Sequence, residues 1–297
     1  MEITTVTASS ILTRTSGYLS EIASHSLNCY RGCGFGNSLC GVGCYVRHNL
    51  WITRGQPWGS FVEAKWNAAA LYEKEYATEQ RWGRRKTGRF GVFLSSATEP
   101  FQPAEQRYGI TNGVLQKMLD RPPDRLILQT HSHRVTDAIQ TLCQLKQVCD
   151  LRVHISIETD YDRFPGGPGH GSPVEKRLAA GRALRDQGVW TIATIAPLMP
   201  LRDPEQFFSR IADSFDAVVI DHYIEGDGSQ SGSRTLRTPL PVLMQNVEPS
   251  SVSLGYRDRM IDIARRYVAR VGVGRGGFAG RFVGQDGGDE AAPCDKM

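Results

Sequence analysis

Residues 28–45 read NCYRGCGFGNSLCGVGCY, from Asn28 to Tyr45, and the character of the whole chain turns on them. Four thiols, Cys29, Cys33, Cys40 and Cys44, are interspersed with five glycines, so the backbone is free to wrap them around one centre. Such a loop reads as a metal or cluster site. A structural zinc with four cysteine ligands usually draws on two close C-x2-C pairs. The intervals here are x3, x6 and x3, which fit that pattern poorly. A [4Fe-4S] cluster held by three cysteines leaves one iron open to chelate the amino and carboxylate groups of a methionine moiety. Ligand chemistry alone does not choose which three of the four thiols bind. The other cysteines are Cys143, Cys149 and Cys294. An odd total, clustered near the N-terminus with no export signal, favours metal ligation over a disulfide framework. Cys143 and Cys149 share no helix face well and read as packing residues.

Downstream of this loop, short β-branched runs alternate with helical stretches, the pattern of repeated βα units and a parallel sheet. Strands are expected at Phe90 to Ser95, Arg125 to Gln129, Leu151 to Ile157, Trp190 to Ile195 and Ala217 to Asp221. Helices are expected at Ala104 to Leu119, Val135 to Val148, Val174 to Asp186 and Pro204 to Ser214, the last with Asp203 as N-cap. Phe61 to Trp82 has apolar residues at helical spacing and reads as the first crossover helix. A short strand at His25 to Leu27, just before the cysteine loop, makes six βα units. Residues 1–24 read as an N-terminal extension, 25–270 as the barrel, and 271–297 as a Gly-rich flexible tail. Glu225 to Ser233 reads as a flexible loop after the last barrel strand.

The cysteine loop resembles that of the spore-photoproduct-lyase-like radical S-adenosylmethionine enzymes. There, an Asn-Pro-Tyr-Arg-Gly-Cys run opens a C-x3-C-x2-C motif whose last cysteine precedes an aromatic residue. This chain has Asn28-Cys29-Tyr30-Arg31-Gly32-Cys33 and closes with Cys44-Tyr45. The resemblance implies Cys33, Cys40 and Cys44 as the cluster ligands, in a loop widened to C-x6-C-x3-C. Cys29 falls where a proline usually stands, and reads as a small apolar residue. A second signature follows in order: Ser95 to Glu105, SSATEPFQPAE, is similar to the threonine, acid, proline, aromatic, Gln-Pro-x-Glu stretch of the same group.

The resemblance implies a partial (β/α)6 barrel with the Fe-S loop after the first strand, and with the cluster and S-adenosylmethionine at the C-terminal ends of the strands. Barrel logic agrees, since loops after strands form the functional face. Candidates there are Thr98 and Glu99, Thr130 and His131, Ser156 and Glu158, Pro197 and His222. Ser156 and Glu158 are assigned to the ribose hydroxyls, Thr98, Glu99 and His131 to the cofactor pocket with Thr98 and His131 at its methionine end, and Tyr45 to the neighbourhood of the adenine. His131 and His133 could form a metal pair, but no third ligand is evident, so one ring is expected in the pocket and the other in a helix-start loop. The implied activity is reductive cleavage of S-adenosylmethionine to a 5′-deoxyadenosyl radical, fed by a one-electron donor such as flavodoxin or ferredoxin. The hydrogen-donating cysteine of spore photoproduct lyase, near the end of the second strand, has no counterpart in Phe93 to Pro100. The substrate is therefore left open.

A different class of function is an iron-sulfur or zinc protein that senses redox state or binds nucleic acid without catalysis. A net charge of +4 is too small to establish a nucleic-acid partner. Arg81, Arg84, Arg85, Lys86 and Arg89, with Trp82 among them, make a basic patch, but at the barrel face away from the active site. Gly272-Val273-Gly274-Arg275-Gly276-Gly277 satisfies a loose G-x-G-x-x-G pattern; read as following a helix, Tyr256 to Ala269, and opening none, it fails the Rossmann context. With 40% hydrophobic and 22% charged residues, no apolar run long enough for a membrane helix, and no signal-peptide core in Met1 to Gly17, the chain is expected in the cytoplasm.

Overall fold

In the computed structural model, which describes residues 1–284 and 289–291, the strands follow one another as β1 (Glu2–Val6), β2 (Leu12–Arg14), β3 (His25–Leu27), β4 (Tyr30–Gly32), β5 (Phe61–Lys65), β6 (Gly91–Leu94), β7 (Arg125–Thr130), β8 (Asp150–Ser156), β9 (Thr191–Ile195), β10 (Ala217–Ile220), β11 (Arg270–Val273), β12 (Arg281–Gly284) and β13 (Asp289–Ala291). The main sheet has the order β13-β12-β11-β10-β9-β8-β7-β6-β3-β2. From β3 through β6 to β11 every neighbouring pair is parallel, while β2 at one edge and β12 and β13 at the other are antiparallel. The two edges do not pair among the described residues. The result is an open, partial barrel with the cysteine loop after its first parallel strand.

Burial on both faces makes the strands near-continuous apolar runs, as parallel sheets require. Alternate side chains then separate into two layers. Leu126, Leu128, Val153, Ile155, Ala193, Ile195, Val218 and Ile220 join the core beneath the crossover helices. Phe93, Ile127, Ile192 and Val219 point the other way and fill the barrel interior with Phe278 and Phe282. The helices Val174–Asp186 and Pro204–Ser214 occupy their expected positions, the second with the Asp203 side chain accepting from the Gln206 amide at 3.0 Å.

Three expectations are corrected. Phe61 to Trp82 is not one helix: Phe61–Lys65 is β5, the middle strand of a small sheet ordered β1-β5-β4, and the helix runs over Ala68–Thr87. The helical spacing is overridden because β5 is flanked by ladders on both edges while Phe61, Val62 and Ala64 are buried. Ala104 to Leu119 is split at Gly109, φ +59°, into Glu105–Tyr108 and Ile110–Asp120. The Glu105 carboxylate satisfies the second helix's start, accepting from the amides of Thr111 and Asn112, each at 2.9 Å.

The third correction concerns the C-terminal end. Residues 271–284 are not a flexible tail, and β10 is not the last parallel strand. A helix at Leu254–Ala264 leads into β11, parallel to β10, and Gly274–Phe278 forms a short helix after it. The glycine pattern thus does stand between strand and helix. Its glycines serve packing: a Cβ on Gly272 would lie 2.6 Å from the Cα of Gly277. The polar stretch 285–297 lies outside the described residues except for the backbone of 289–291.

Gly32 closes β4 with φ +78°, and a Cβ there would stand 2.2 Å from the Phe61 carbonyl oxygen. Gly32→Ala is therefore expected to cost more than about 1 kcal/mol of unfolding free energy, measurable by urea titration, since both conformation and space demand glycine.

Candidate functional site

The two stretches singled out above, 28–45 and 95–105, are bonded to each other along their length. The Asn28 carboxamide accepts from the Ala97 amide at 2.9 Å and donates to Ser96 Oγ at 3.2 Å. Tyr30 donates its phenol to Glu105, Gly34 donates its amide to Gln102 Oε1 at 2.6 Å, and Tyr45 donates to the Ser96 carbonyl at 2.6 Å. Buried polar groups need partners, and here each signature supplies the other's. Asn28, Tyr30 and Glu105 spend their polar groups in holding the loop on the barrel mouth, and Gln102 does so through Oε1 while its Nε2 stays buried without a partner.

At that mouth lies a cavity of about 530 Å³. Cys33, Cys40, Cys44, Tyr45, Thr98, Glu99, His131, Ser156 and Glu158 all line it, together with Pro197 and His222. Thr130 does not; it donates to Glu99 from behind. Cys33, Cys40 and Cys44 pack in one group with Phe35, Val46 and Trp58. Burial pushes the thiols of Cys33 and Cys44 up to about 12 and that of Cys40 to about 11, and each thiol is raised further by one of the other two. Amide donors work against this: Phe35 and Glu99 at Cys33, and Val46 and Arg47 at Cys44, favour the thiolate. Cys29 is elsewhere. It is fully buried in the main core and does not line the cavity, and burial pushes its thiol up to about 12.

Among the described residues no three or more His, Cys, Asp or Glu side chains converge as ligands of a single metal ion. A cubane cluster asks for something different, because each thiolate binds its own iron at a separate corner.

The strand ends divide into spent and available groups. Glu99, 4% exposed, accepts from the Thr130 hydroxyl, the Phe101 amide at 3.0 Å and the His131 amide at 2.7 Å, so it ties the loop after β6 to the end of β7. His222 is also spent, with Nε2 2.9 Å from the Ser251 carbonyl and Nδ1 accepting from the Ile224 amide at 3.1 Å. Ser156 Oγ accepts from Gln129 Nε2 at 2.6 Å and lies 3.2 Å from Thr194 Oγ1.

Glu158 is different. Its Oε2 receives Arg177 Nη1 at 2.9 Å, while Oε1 is buried without a hydrogen-bond partner. His131 Nε2 stands 3.0 Å from Oε1 but out of hydrogen-bond alignment. Burial alone would raise this carboxyl, yet Arg177 and His131 hold it well below the usual carboxylate range. For His131, burial opposes the charge, but Cys40, Glu158 and Glu99 raise it well above the ordinary imidazole value. His133 faces away and bonds Ser172 through Nδ1 at 2.7 Å.

Several lining or supporting residues escape a reading of the sequence. Gln129 shares the inward face of β7 with Ile127, as alternation requires, but its polar side chain gives no sign in the sequence of facing a cavity. Its Oε1 and the hydroxyl of Ser95, both lining the cavity, are buried without partners, like Glu158 Oε1. Arg177, 2% exposed, lies inside a helix whose sequence gives no sign that it reaches the Ser156 carbonyl and Glu158. Opposite the cysteines, Asp221 accepts from Tyr18 at 2.8 Å and from the His222 amide at 2.9 Å; burial still pushes it up to about 6.

The open parallel sheet with a cysteine-bearing loop after its first parallel strand is a partial-barrel fold shared with solved structures. Among these, the fold is that of spore photoproduct lyase. A lyase variant with bound AdoMet and dinucleoside spore photoproduct superposes with a TM-score of 0.62 at 12% identity, covering 92% of this chain and 81% of that one. A second variant, with dinucleoside spore photoproduct, gives 0.59 at 13% identity over the same shares. No protein-family model matches the chain. An uncharacterised protein of Methanocaldococcus jannaschii is 25% identical over 184 residues, 60% of this chain and 61% of its own length. Another, from Mycobacterium tuberculosis, is 25% identical over 177 residues, 59% of this chain and 50% of its own. The chain thus matches between half and about three fifths of the length of these relatives. No helix among the described residues is long and apolar enough to cross a membrane.

Proposed function

We propose that the chain is a radical S-adenosylmethionine enzyme, with Cys33, Cys40 and Cys44 holding a [4Fe-4S] cluster and the cavity holding S-adenosylmethionine. One observation carries the reading: two sequence signatures, apart in the chain, interlock by hydrogen bonds around a single cavity that gathers three thiols and three orphaned polar atoms. Those atoms, on Ser95, Gln129 and Glu158, need partners that a polar ligand would supply. The spore photoproduct lyase that shares the fold carries bound AdoMet.

When bound, the reduced cluster supplies the electron that splits S-adenosylmethionine into methionine and a 5′-deoxyadenosyl radical. The chain's own residues bind and orient. Glu158 Oε1, kept ionised by Arg177, accepts ribose hydroxyls, while Ser156 holds Gln129 in place beside it. Thr98 and His131 face the methionine end, Glu99 fixes the His131 backbone, and Tyr45 flanks the adenine. Phe93, Phe278 and Met199 give the cavity apolar walls that keep water from the radical. Ser95 and Ser96 occupy the stretch where the lyase resemblance would place a hydrogen-donating cysteine. A hydroxyl holds its hydrogen too strongly for that role, so repair of spore photoproduct by that route is disfavoured and the substrate is left open.

Anaerobic reconstitution with iron and sulfide is expected to give about four irons per chain and broad absorbance near about 400 nm. Zinc uptake with no iron would reject the reading in favour of a structural metal.

A further inference from the structure

The cysteine loop has an outer face that nothing among the described residues covers. The single-turn helix Leu50–Thr53 presents Leu50 and Trp51 to solvent, 72% and 93% exposed, while Ile52 packs inward on the group formed by Cys33, Cys40 and Cys44. One helical turn therefore separates the cysteines from solvent. Beside it, Leu236 is 55% exposed on the segment that touches the loop, where His48 Nε2 lies 3.0 Å from the Arg237 carbonyl. A Cβ on Gly43 would strike Leu240, which shows how closely the two segments pack.

The exposed charges carried by the two segments themselves have one sign. No Asp or Glu occurs from Ile22 to Val62 or from Gly228 to Val247, and the exposed charges on the two segments include Arg54, Arg234 and Arg237. Glu63, which reaches Arg54, is held in an ion pair by Arg31. An aromatic and aliphatic centre with an arginine rim is the composition of a protein interface. A bare indole at this exposure gains nothing in the isolated chain.

We propose that this patch docks a small acidic one-electron carrier protein, which reduces the cluster through the Trp51–Ile52 turn. The inference rests on the enzymatic reading above, because reductive cleavage needs an electron from outside. Encounters between redox proteins use small interfaces steered by opposite charge. A nucleic acid fits less well: tight phosphate tracking takes on the order of 6 to 10 cationic contacts, whereas the two segments set only Arg54, Arg234 and Arg237 as exposed arginines around the Trp51 ring. In the transfer, a flavodoxin hydroquinone anion gives up one electron and becomes the neutral semiquinone. The cluster gains that electron, and no bond or proton is exchanged.

The test compares the unaltered, cluster-loaded protein with a Trp51→Ala, Arg54→Glu variant and with Arg237→Glu. Affinity for flavodoxin is measured by calorimetry at low and moderate salt, and cluster reduction by stopped flow with flavodoxin hydroquinone or with dithionite. Flavodoxin is expected to bind the double variant at least about tenfold more weakly, and Arg237→Glu more weakly than the parent, with salt weakening the parent most. Reduction by dithionite, which needs no docking, stays unchanged. Equal flavodoxin affinity in the parent and the double variant, or no flavodoxin binding by the parent, overturns the proposal. So does loss of duplex-oligonucleotide binding in the double variant with flavodoxin affinity intact. Absence of 5′-deoxyadenosine from the parent under dithionite would overturn the enzymatic reading itself, a result separable from the docking arms.

Discussion

Cys33→Ala, Cys40→Ala and Cys44→Ala are each expected to lose essentially all reconstituted iron, while Cys29→Ala keeps the full complement. The difference follows from placement. Cys33, Cys40 and Cys44 form one packed group at the cavity and raise one another's thiols, so they share a field that bound iron would relieve by taking thiolates. Cys29 is fully buried among apolar side chains of the main core and reaches no part of the cavity. Iron analysis and absorbance on the four variants give the answer. Iron retained by Cys40→Ala and lost by Cys29→Ala would reverse the ligand assignment. Because Cys29→Ala removes a buried thiol, its thermal unfolding should be recorded alongside, so that a folding defect is not mistaken for lost ligation.

Glu158→Gln is expected to weaken S-adenosylmethionine binding about tenfold to a hundredfold with iron content unchanged. The carboxylate has one oxygen on Arg177 and the other facing the cavity, 3.0 Å from His131 Nε2 but without an aligned hydrogen bond, so an ionic acceptor is lost where the ribose is placed. Glutamine is the useful substitution. Alanine would strand Arg177, 2% exposed, as an unpaired buried cation and cost about 3 to 5 kcal/mol of stability. Ser156→Ala should change affinity less, below about threefold, since its hydroxyl is already bonded to Gln129 and lies beside Thr194. Calorimetry on cluster-loaded protein separates the two variants. Wild-type affinity in Glu158→Gln would remove β8 from the cofactor site.

The pattern of strands between Phe90 and Asp221 is legible in the sequence because parallel strands buried on both faces leave apolar runs bounded by turns. β5 is not legible in this way. Phe61–Lys65 has helical spacing, and only its two flanking ladders make it a strand. β11 is hidden for a related reason: Arg270–Val273 is short and glycine-rich, and its pairing with β10 comes from tertiary structure. In the site, residues carried by motifs or strand ends stand out from the sequence, whereas Arg177, Gln129, Tyr18 and Asp221 do not. Arg177 reaches Glu158 from a helix 19 residues away, and Tyr18 reaches Asp221 across 203 residues. Contacts at such separations leave no local periodicity to read.

The central claim is that the cavity cleaves S-adenosylmethionine with an electron from a cluster on Cys33, Cys40 and Cys44. Its most direct test is to incubate the anaerobically reconstituted protein with S-adenosylmethionine and dithionite, without substrate, and to quantify products by mass spectrometry. Methionine and 5′-deoxyadenosine are expected in equal amounts, slowly, and not from Cys40→Ala. A fully loaded cluster that yields neither product would contradict the account and leave a protein that carries iron and sulfur for sensing instead of catalysis.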